Sequence, residues 1–70
     1  MEKVIHSAVY IVGDFRITMS EMYNEDTRKG RWEVEVVDLR VEQMHHMESF
    51  DDVSVANEYL LSALDYFKTL

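Results

Sequence analysis

The chain contains no cysteine and no proline, and glycine occurs only at Gly13 and Gly30. Without cysteine, neither a disulfide nor a thiolate metal cluster can stabilise the fold, and a reducing compartment is the natural reading. No stretch approaches the roughly 20 consecutive apolar residues that a membrane-spanning helix requires. We therefore expect no disulfide scaffold and no association with a membrane.

Cationic residues are scarce in the second half of the chain. Five acids and five bases precede Trp32, whereas nine acids face only Arg40 and Lys68 from there onward, and the net charge of −7 lies entirely in this second half. Such a surface repels nucleic acid and acidic lipid and attracts proteins with basic surfaces. We expect a basic protein partner and no direct contact with nucleic acid.

An apolar run from Val4 to Val12 follows Lys3, an order also found in secretory signals. His6 and Ser7 interrupt this run, Asp14 follows it closely, and no small-residue cleavage site comes after it. These features disagree with a signal peptide. We therefore expect a cytoplasmic protein.

Seventy residues, of which 47% are hydrophobic, make one packed domain spanning residues 1–70. At this size the burial of apolar area scarcely exceeds the entropy lost on folding, so small domains usually need an additional stabilising device. Disulfides are absent from this chain. Self-association is the device that remains, and we expect a homodimer.

Two strands joined by the turn Gly13-Asp14 are predicted from Lys3 to about Tyr23, because valine, isoleucine and aromatic residues flank a two-residue turn. A tight hairpin places Val12 opposite Phe15 and continues pair by pair to Val4 opposite Tyr23. One predicted face carries Tyr10, Val12, Phe15, Ile17 and Met19. The other face carries Ile5, Val9, Ile11 and Met22.

A third strand is predicted from Arg31 to about Glu42, after a polar loop in which Gly30 provides the position for a positive φ. Its apolar alternation changes phase at Val36-Val37. A β-bulge in this strand explains the change. The alternative is a strand that is buried on both sides near its middle.

A C-terminal helix follows, because apolar residues recur at spacings of three and four: Val53, Ala56, Leu60, Ala63, Leu64 and Phe67. Ser49 with Asp52 forms one possible capping box, and Asp51 is the alternative cap. The predicted fold is α+β, a three-stranded antiparallel β-meander packed on one face by a single helix (β-β-β-α).

The predicted sheet has one face that the helix leaves bare. We interpret its apolar residues, Ile5, Val9, Ile11 and Met22, as a dimer face, because exposed apolar patches on small proteins usually mark interfaces. The outer strands can also pair with another chain, unless Lys3 on the first or Glu33 and Glu35 on the third discourage it.

The acidic residues form the predicted partner-binding set: Glu33, Glu35, Asp38, Glu42, Glu48, Asp51 and Asp52. They suggest a small inhibitor, or a decoy that imitates the phosphates of nucleic acid, of the kind that phages and mobile elements encode. The simpler alternative is that these charges maintain solubility. We expect no enzymatic activity and no cofactor, because the serines lack a nucleophile context and no phosphate-binding loop is present.

His45 and His46 form the one cluster that suggests another function. Together with Glu42 and Glu48 they could bind a metal or a small ligand, or respond to pH at a subunit contact. Adjacent histidines on an extended strand point in opposite directions, however, so we assign no metal site.

Two aromatic groups have alternative interpretations. Trp32 follows the basic segment Arg28–Arg31. In one interpretation this segment contacts phosphates while Trp32 stacks on a base. In the other, Trp32 lies at the edge of the core. Tyr59 and Tyr66 are seven residues apart on the helix. They belong either to the periphery of the core or to an interface, which exposed tyrosines often anchor.

Overall fold

The computed structural model describes every residue from Met1 to Leu70 as four strands and one helix. In chain order these are β1 (Glu2–Val12), β2 (Phe15–Asn24), β3 (Lys29–Asp38), β4 (Gln43–Phe50) and α1 (Val53–Lys68). The strands form one antiparallel sheet in the order β1-β2-β3-β4. The α+β class and the C-terminal helix are therefore confirmed. The helix is neither long nor apolar enough to cross a membrane.

The prediction of only three strands is wrong. Residues 43–50, expected to connect the sheet to the helix, form β4 at the edge of the sheet. The third strand ends at Asp38 instead of Glu42, and Glu42 has a positive φ of 52° in the turn that follows. An edge strand can tolerate polar residues on both sides, which is why the composition of β4 did not indicate a strand.

The predicted hairpin is confirmed as far as His6. Gly13 has a φ of 58° in the two-residue turn, and the register runs from Val12 opposite Phe15 to His6 opposite Glu21. A β-bulge then shifts the register by one residue, so that Val4 pairs with Met22 and not, as predicted, with Tyr23.

The phase change at Val36-Val37 has a different cause from the bulge predicted in the third strand. The bulge lies across from it, on β4: Val36 pairs with His46 and Val37 with Met44, which leaves His45 without a partner. The register of β3 with β2 is continuous, so Val36 and Val37 point to opposite sides of the sheet. Both are buried, as in the alternative interpretation.

The core lies between α1 and one surface of the sheet, which we call the helix face; the opposite surface is the reverse face. The buried residues of the core are Phe15, Ile17, Val34, Val36, Leu60, Ala63 and Phe67. Of the predicted helix stripe, Ala56 is also buried and Leu64 is partly buried against the core, whereas Val53 is exposed. The helix lies against all four strands, most closely against β3 and least closely against β1.

The caps and turns differ from the sequence prediction at two places. The N-cap of α1 is Asp52, whose Oδ1 accepts a hydrogen bond of 2.7 Å from the backbone N–H of Ser54, whereas Ser49 lies within β4. In the turn between β2 and β3 the positive φ, 59°, belongs to Arg28 and not to Gly30. Gly30 instead lies where an added Cβ would come 3.4 Å from the carbonyl oxygen of Met22.

Candidate functional site

The exposed part of the predicted dimer face lies on β1. On the reverse face Val9 is 56% and Ile11 is 64% exposed, and Ile5 at the bulge is 42% exposed. Met22, on β2, is only half-buried. Nearly every residue of β1 is exposed, because β2 is its sole neighbour in the sheet and the helix scarcely covers it.

The middle of the reverse face is polar. The inner strands β2 and β3 place Met22 and the buried Val37 there among six polar side chains: Arg16, Thr18, Ser20, Arg31, Glu33 and Glu35. Exposed apolar side chains recur only at the far edge, where Met44 and Met47 of β4 are exposed. The reverse face is therefore apolar along its two edges and not across its width.

The charges of β1 are confined to its first two residues and are paired within the chain. Glu2 Oε2 lies 2.6 Å from Nε of Arg31, and Nζ of Lys3 lies 2.5 Å from Oε1 of Glu25. From Val4 to Val12 the strand has no lysine, arginine, aspartate or glutamate. Lys3, which was expected to discourage edge pairing, is thus paired with Glu25 at one end of the strand. The nine residues from Val4 to Val12 have no such cation to discourage pairing.

The outward peptide groups of β1 follow from the hairpin geometry. Val12 and Phe15 flank a two-residue turn and so form a hydrogen-bonded pair, after which every second residue of β1 bonds to β2. The peptide groups of Ser7, Val9 and Ile11 therefore point away from the sheet. An edge of this kind can accept another strand.

Glu33 and Glu35 were predicted to lie on an outer strand. They lie on an inner strand instead, because β4 pairs with that side of β3. Glu33 Oε2 is 2.7 Å from Nη1 of Arg31, which also binds Glu2. The hydrogen bonds that Arg31 donates to both carboxylates raise its pKa. Glu35 makes no ion pair and remains available on the reverse face.

The other five predicted partner-binding residues are dispersed around the molecule. Asp38 ends β3 and Glu42 lies in the β3–β4 turn, whereas Asp51 and Asp52 lie at the opposite end of β4, and Glu48 is on the helix face. The Arg40 side chain donates hydrogen bonds to Asp38 and lowers the pKa of that carboxyl group. The predicted set therefore does not form one continuous acidic track.

The basic segment before Trp32 is partly neutralised. Arg31 is engaged by Glu2 and Glu33, and its Nη1 donates to Oγ of Ser49 at 2.8 Å. Trp32 is half-buried on the helix face, where it lines a cleft beside Leu60.

A cleft between β4 and α1 brings both histidines together, and we call it the histidine cleft. Its volume is about 260 Å³, and its lining consists of His45, His46, Tyr59, Ser62, Ala63, Tyr66 and Phe67. The bulge at His45 turns both imidazoles toward the helix, so the expectation that they point in opposite directions is wrong. Sequence alone offered only the adjacent histidines as a signal.

The walls of the histidine cleft are aromatic. The His45 ring packs edge-on against Phe15 and Phe67, with ring centroids 5.8 and 5.4 Å apart, and His46 stacks over Tyr59 at 6.1 Å. Tyr66 is 59% exposed at the rim. The small residues Ser62 and Ala63 separate the two tyrosines along the helix and so create the gap.

Two carboxylates lie close to the histidine cleft. Oε1 of Glu48 is 3.2 Å from Nε2 of His46, and the pKa of Tyr59 is raised by burial and, to a lesser degree, by the charge of Glu48. His45 lies near enough to Asp38 to contribute to the lowering of its pKa. No three His, Asp or Glu side chains converge anywhere to hold a metal ion. The cleft is thus an aromatic site with acidic neighbours.

A second cleft, of about 240 Å³, separates α1 from β1. Its lining includes Tyr10, Trp32 and the pair His6 and Glu21, whose Nδ1 and Oε1 are 3.0 Å apart. The sequence did not indicate this cleft, because it results from the incomplete cover that the helix gives to β1.

Each edge of the sheet therefore has a distinct exposed surface: a largely apolar strand at β1 and an aromatic cleft at β4. The chain matches no protein-family model, and searches of curated proteins and of solved structures give no match.

Proposed function

We propose that the protein is a non-enzymatic, cytoplasmic protein-binding module that acts as a homodimer joined through β1. The observation that carries this proposal is the β1 edge, which has no lysine, arginine, aspartate or glutamate from Val4 to Val12 and is exposed along nearly all of its length. At about 3.3 Å per residue this segment extends over roughly 30 Å. The longest dimension of the molecule is 39 Å, so the edge runs along most of it.

A second copy of the chain fits this edge because β1 is complementary to itself. In an antiparallel pair centred on Val9, the outward peptide groups of Ser7 would bond to those of Ile11 of the second copy, and Val9 would face its own equivalent. Tyr10 would then lie opposite the small Ala8, which leaves room for the ring. The two sheets would become one of eight strands.

The acidic residues support a basic protein as the target of this dimer. The chain has a net charge of −7, and Glu35, Glu42 and Asp51 make no ion pair that would neutralise them. Their positions at both ends and on the reverse face favour a partner that carries several separate basic groups. An inhibitor of a basic protein, or a decoy for its nucleic acid, is a function of this kind.

The test compares two matched substitutions on the reverse face, Val9→Lys on β1 and Met47→Lys on β4. Val9 is 56% and Met47 is 44% exposed, so neither change disturbs the core. Multi-angle light scattering over a range of concentrations should show a dimer for the wild type and Met47→Lys, and a monomer for Val9→Lys.

Two results would contradict the proposal. A wild-type monomer at all concentrations would exclude the dimer. Dissociation of both variants alike would place the contact across the whole reverse face and not at the β1 edge.

A further inference from the structure

We infer that the histidine cleft binds an arginine side chain of the basic partner. This inference rests on the proposed function and adds to it the partner group that is recognised. It is carried by three features of the cleft: its aromatic walls, its carboxylate neighbours and a guanidinium already bound beside it.

The aromatic walls suit a flat cation. Tyr59 and Tyr66 lie two helical turns apart with Ser62 and Ala63 between them, and the imidazole of His46 stacks on Tyr59. A guanidinium group is planar and weakly hydrated, and it stacks on aromatic faces more readily than an ammonium group. A cleft lined by aromatic rings therefore favours arginine over lysine.

The charges near the cleft complement a cation. Glu48 stands next to His46, with 3.2 Å between Oε1 and Nε2, and its charge reaches Tyr59. Arg40 is held by Asp38, and Lys68 is two residues beyond Tyr66, which places it on another side of the helix. A carboxylate that meets an incoming guanidinium forms a charge-assisted hydrogen bond.

The same aromatic cluster already holds a guanidinium from its own chain. The Cζ atom of Arg40 lies 5.6 Å from the centroid of the Phe15 ring, which in turn packs against His45 and Phe67. The cleft rings on the other side of His45, those of His46, Tyr59 and Tyr66, have no such cation over them. In the proposed dimer the cleft stays open, because it lies at the edge of the sheet opposite β1.

The experiment is an NMR titration of the full chain with the capped peptides Gly-Arg-Gly and Gly-citrulline-Gly. Citrulline has nearly the shape of arginine without the charge, so it separates a cation site from an apolar gap. We expect millimolar binding of the arginine peptide, with shifts at His45, His46, Tyr59 and Tyr66. The citrulline peptide should bind about 10-fold more weakly.

Variants establish where the peptide binds. Tyr66→Leu retains an apolar side chain at an exposed position and should weaken arginine binding about 10-fold, whereas Tyr10→Leu in the second cleft should leave it unchanged. Glu48→Gln should also weaken it. Equal binding of both peptides, shifts located elsewhere, or unchanged binding by Tyr66→Leu would overturn the inference.

The inference and the proposed dimer fail separately. A chain that binds arginine through the cleft but is a monomer would contradict the dimer alone. A dimer that Val9→Lys dissociates, but that does not distinguish arginine from citrulline, would contradict the arginine site alone.

Discussion

The two edges of the sheet, β1 and β4, contain the same irregularity with different results. Each strand has one β-bulge, near Ile5 in β1 and at His45 in β4. On β4 the bulge turns two successive side chains toward the helix, where they pack on Tyr59 and Phe67. On β1 the bulge lies near the start of the strand and leaves a regular, uncovered edge beyond it.

The two edges differ in the side chains through which they meet the helix and the core. Phe67 contacts both Phe15 and His45, so the last turns of α1 tie β4 to the core. On β1 only Val12 packs against the core, and Tyr10 is 38% exposed. An edge strand that lacks such cover is the one most able to add another chain.

The largest expected effect comes from removing the residue that ties β4 to the helix. Phe67→Ala should lower the free energy of unfolding by about 3–5 kcal/mol, because it leaves a cavity beneath Phe15 and His45. Tyr10→Ala, at the other edge, should lower it by about 1 kcal/mol. Urea denaturation measures both values.

Phe67→Leu provides the control, since it retains most of the buried volume and should lower the unfolding free energy by less than about 1.5 kcal/mol. Equal losses for Phe67→Ala and Tyr10→Ala would show that the two edges are held equally well.

A second prediction concerns the backbone amides of the two edges. In the dimer the N–H groups of Ser7, Val9 and Ile11 should exchange with solvent at least about 10-fold more slowly than in Val9→Lys. The outward amides of β4 should exchange equally fast in both proteins. Hydrogen exchange followed by NMR, at high and at low protein concentration, measures these rates. If the amides of β4 became protected at high concentration instead, the dimer would form through β4 and not through β1.

The smallest effect concerns the ion pair that holds the start of β1. The hydrogen bond from Arg31 lowers the pKa of Glu2 below its usual value. A carboxyl group whose folded pKa is lowered stabilises the fold above its unfolded pKa of about 4.3, and this contribution disappears as the pH falls through the folded pKa.

Glu2→Gln should therefore lower the melting temperature by about 2 °C at pH 7, and the difference from wild type should vanish near pH 2. Glu58→Gln is the matched control, because Glu58 is exposed and makes no ion pair. A difference that persists at pH 2 would mean that packing, and not charge, secures this end of β1.

Much of the fold was readable from local patterns. Gly13-Asp14 between two β-rich segments correctly gave the turn and most of the register, and the spacing of Ala56, Leu60 and Phe67 gave the buried side of the helix. The fourth strand was missed because it depends on pairing with β3, and no period of two survives across the bulge at His45.

The candidate sites were less predictable, because they depend on where the strands end up in the sheet. Val9 and Ile11 were correctly placed on the bare face, but the position of β1 at an edge follows from sheet order. The acids of the second half are clustered in sequence, yet Glu33 and Asp38 are bound by Arg31 and Arg40. Adjacent charges along a chain do not predict a continuous surface.

The unpaired residue in β4 also bears on how this strand can vary in length. Because His45 has no partner on β3, its deletion would let Met44 and His46 follow each other in regular alternation, with every remaining side chain still on its present face. Evolution can therefore shorten this strand by one residue without rebuilding the sheet. Such a shortened form would keep the pairing of the strands but lose the contacts of His45 with Phe15 and Phe67.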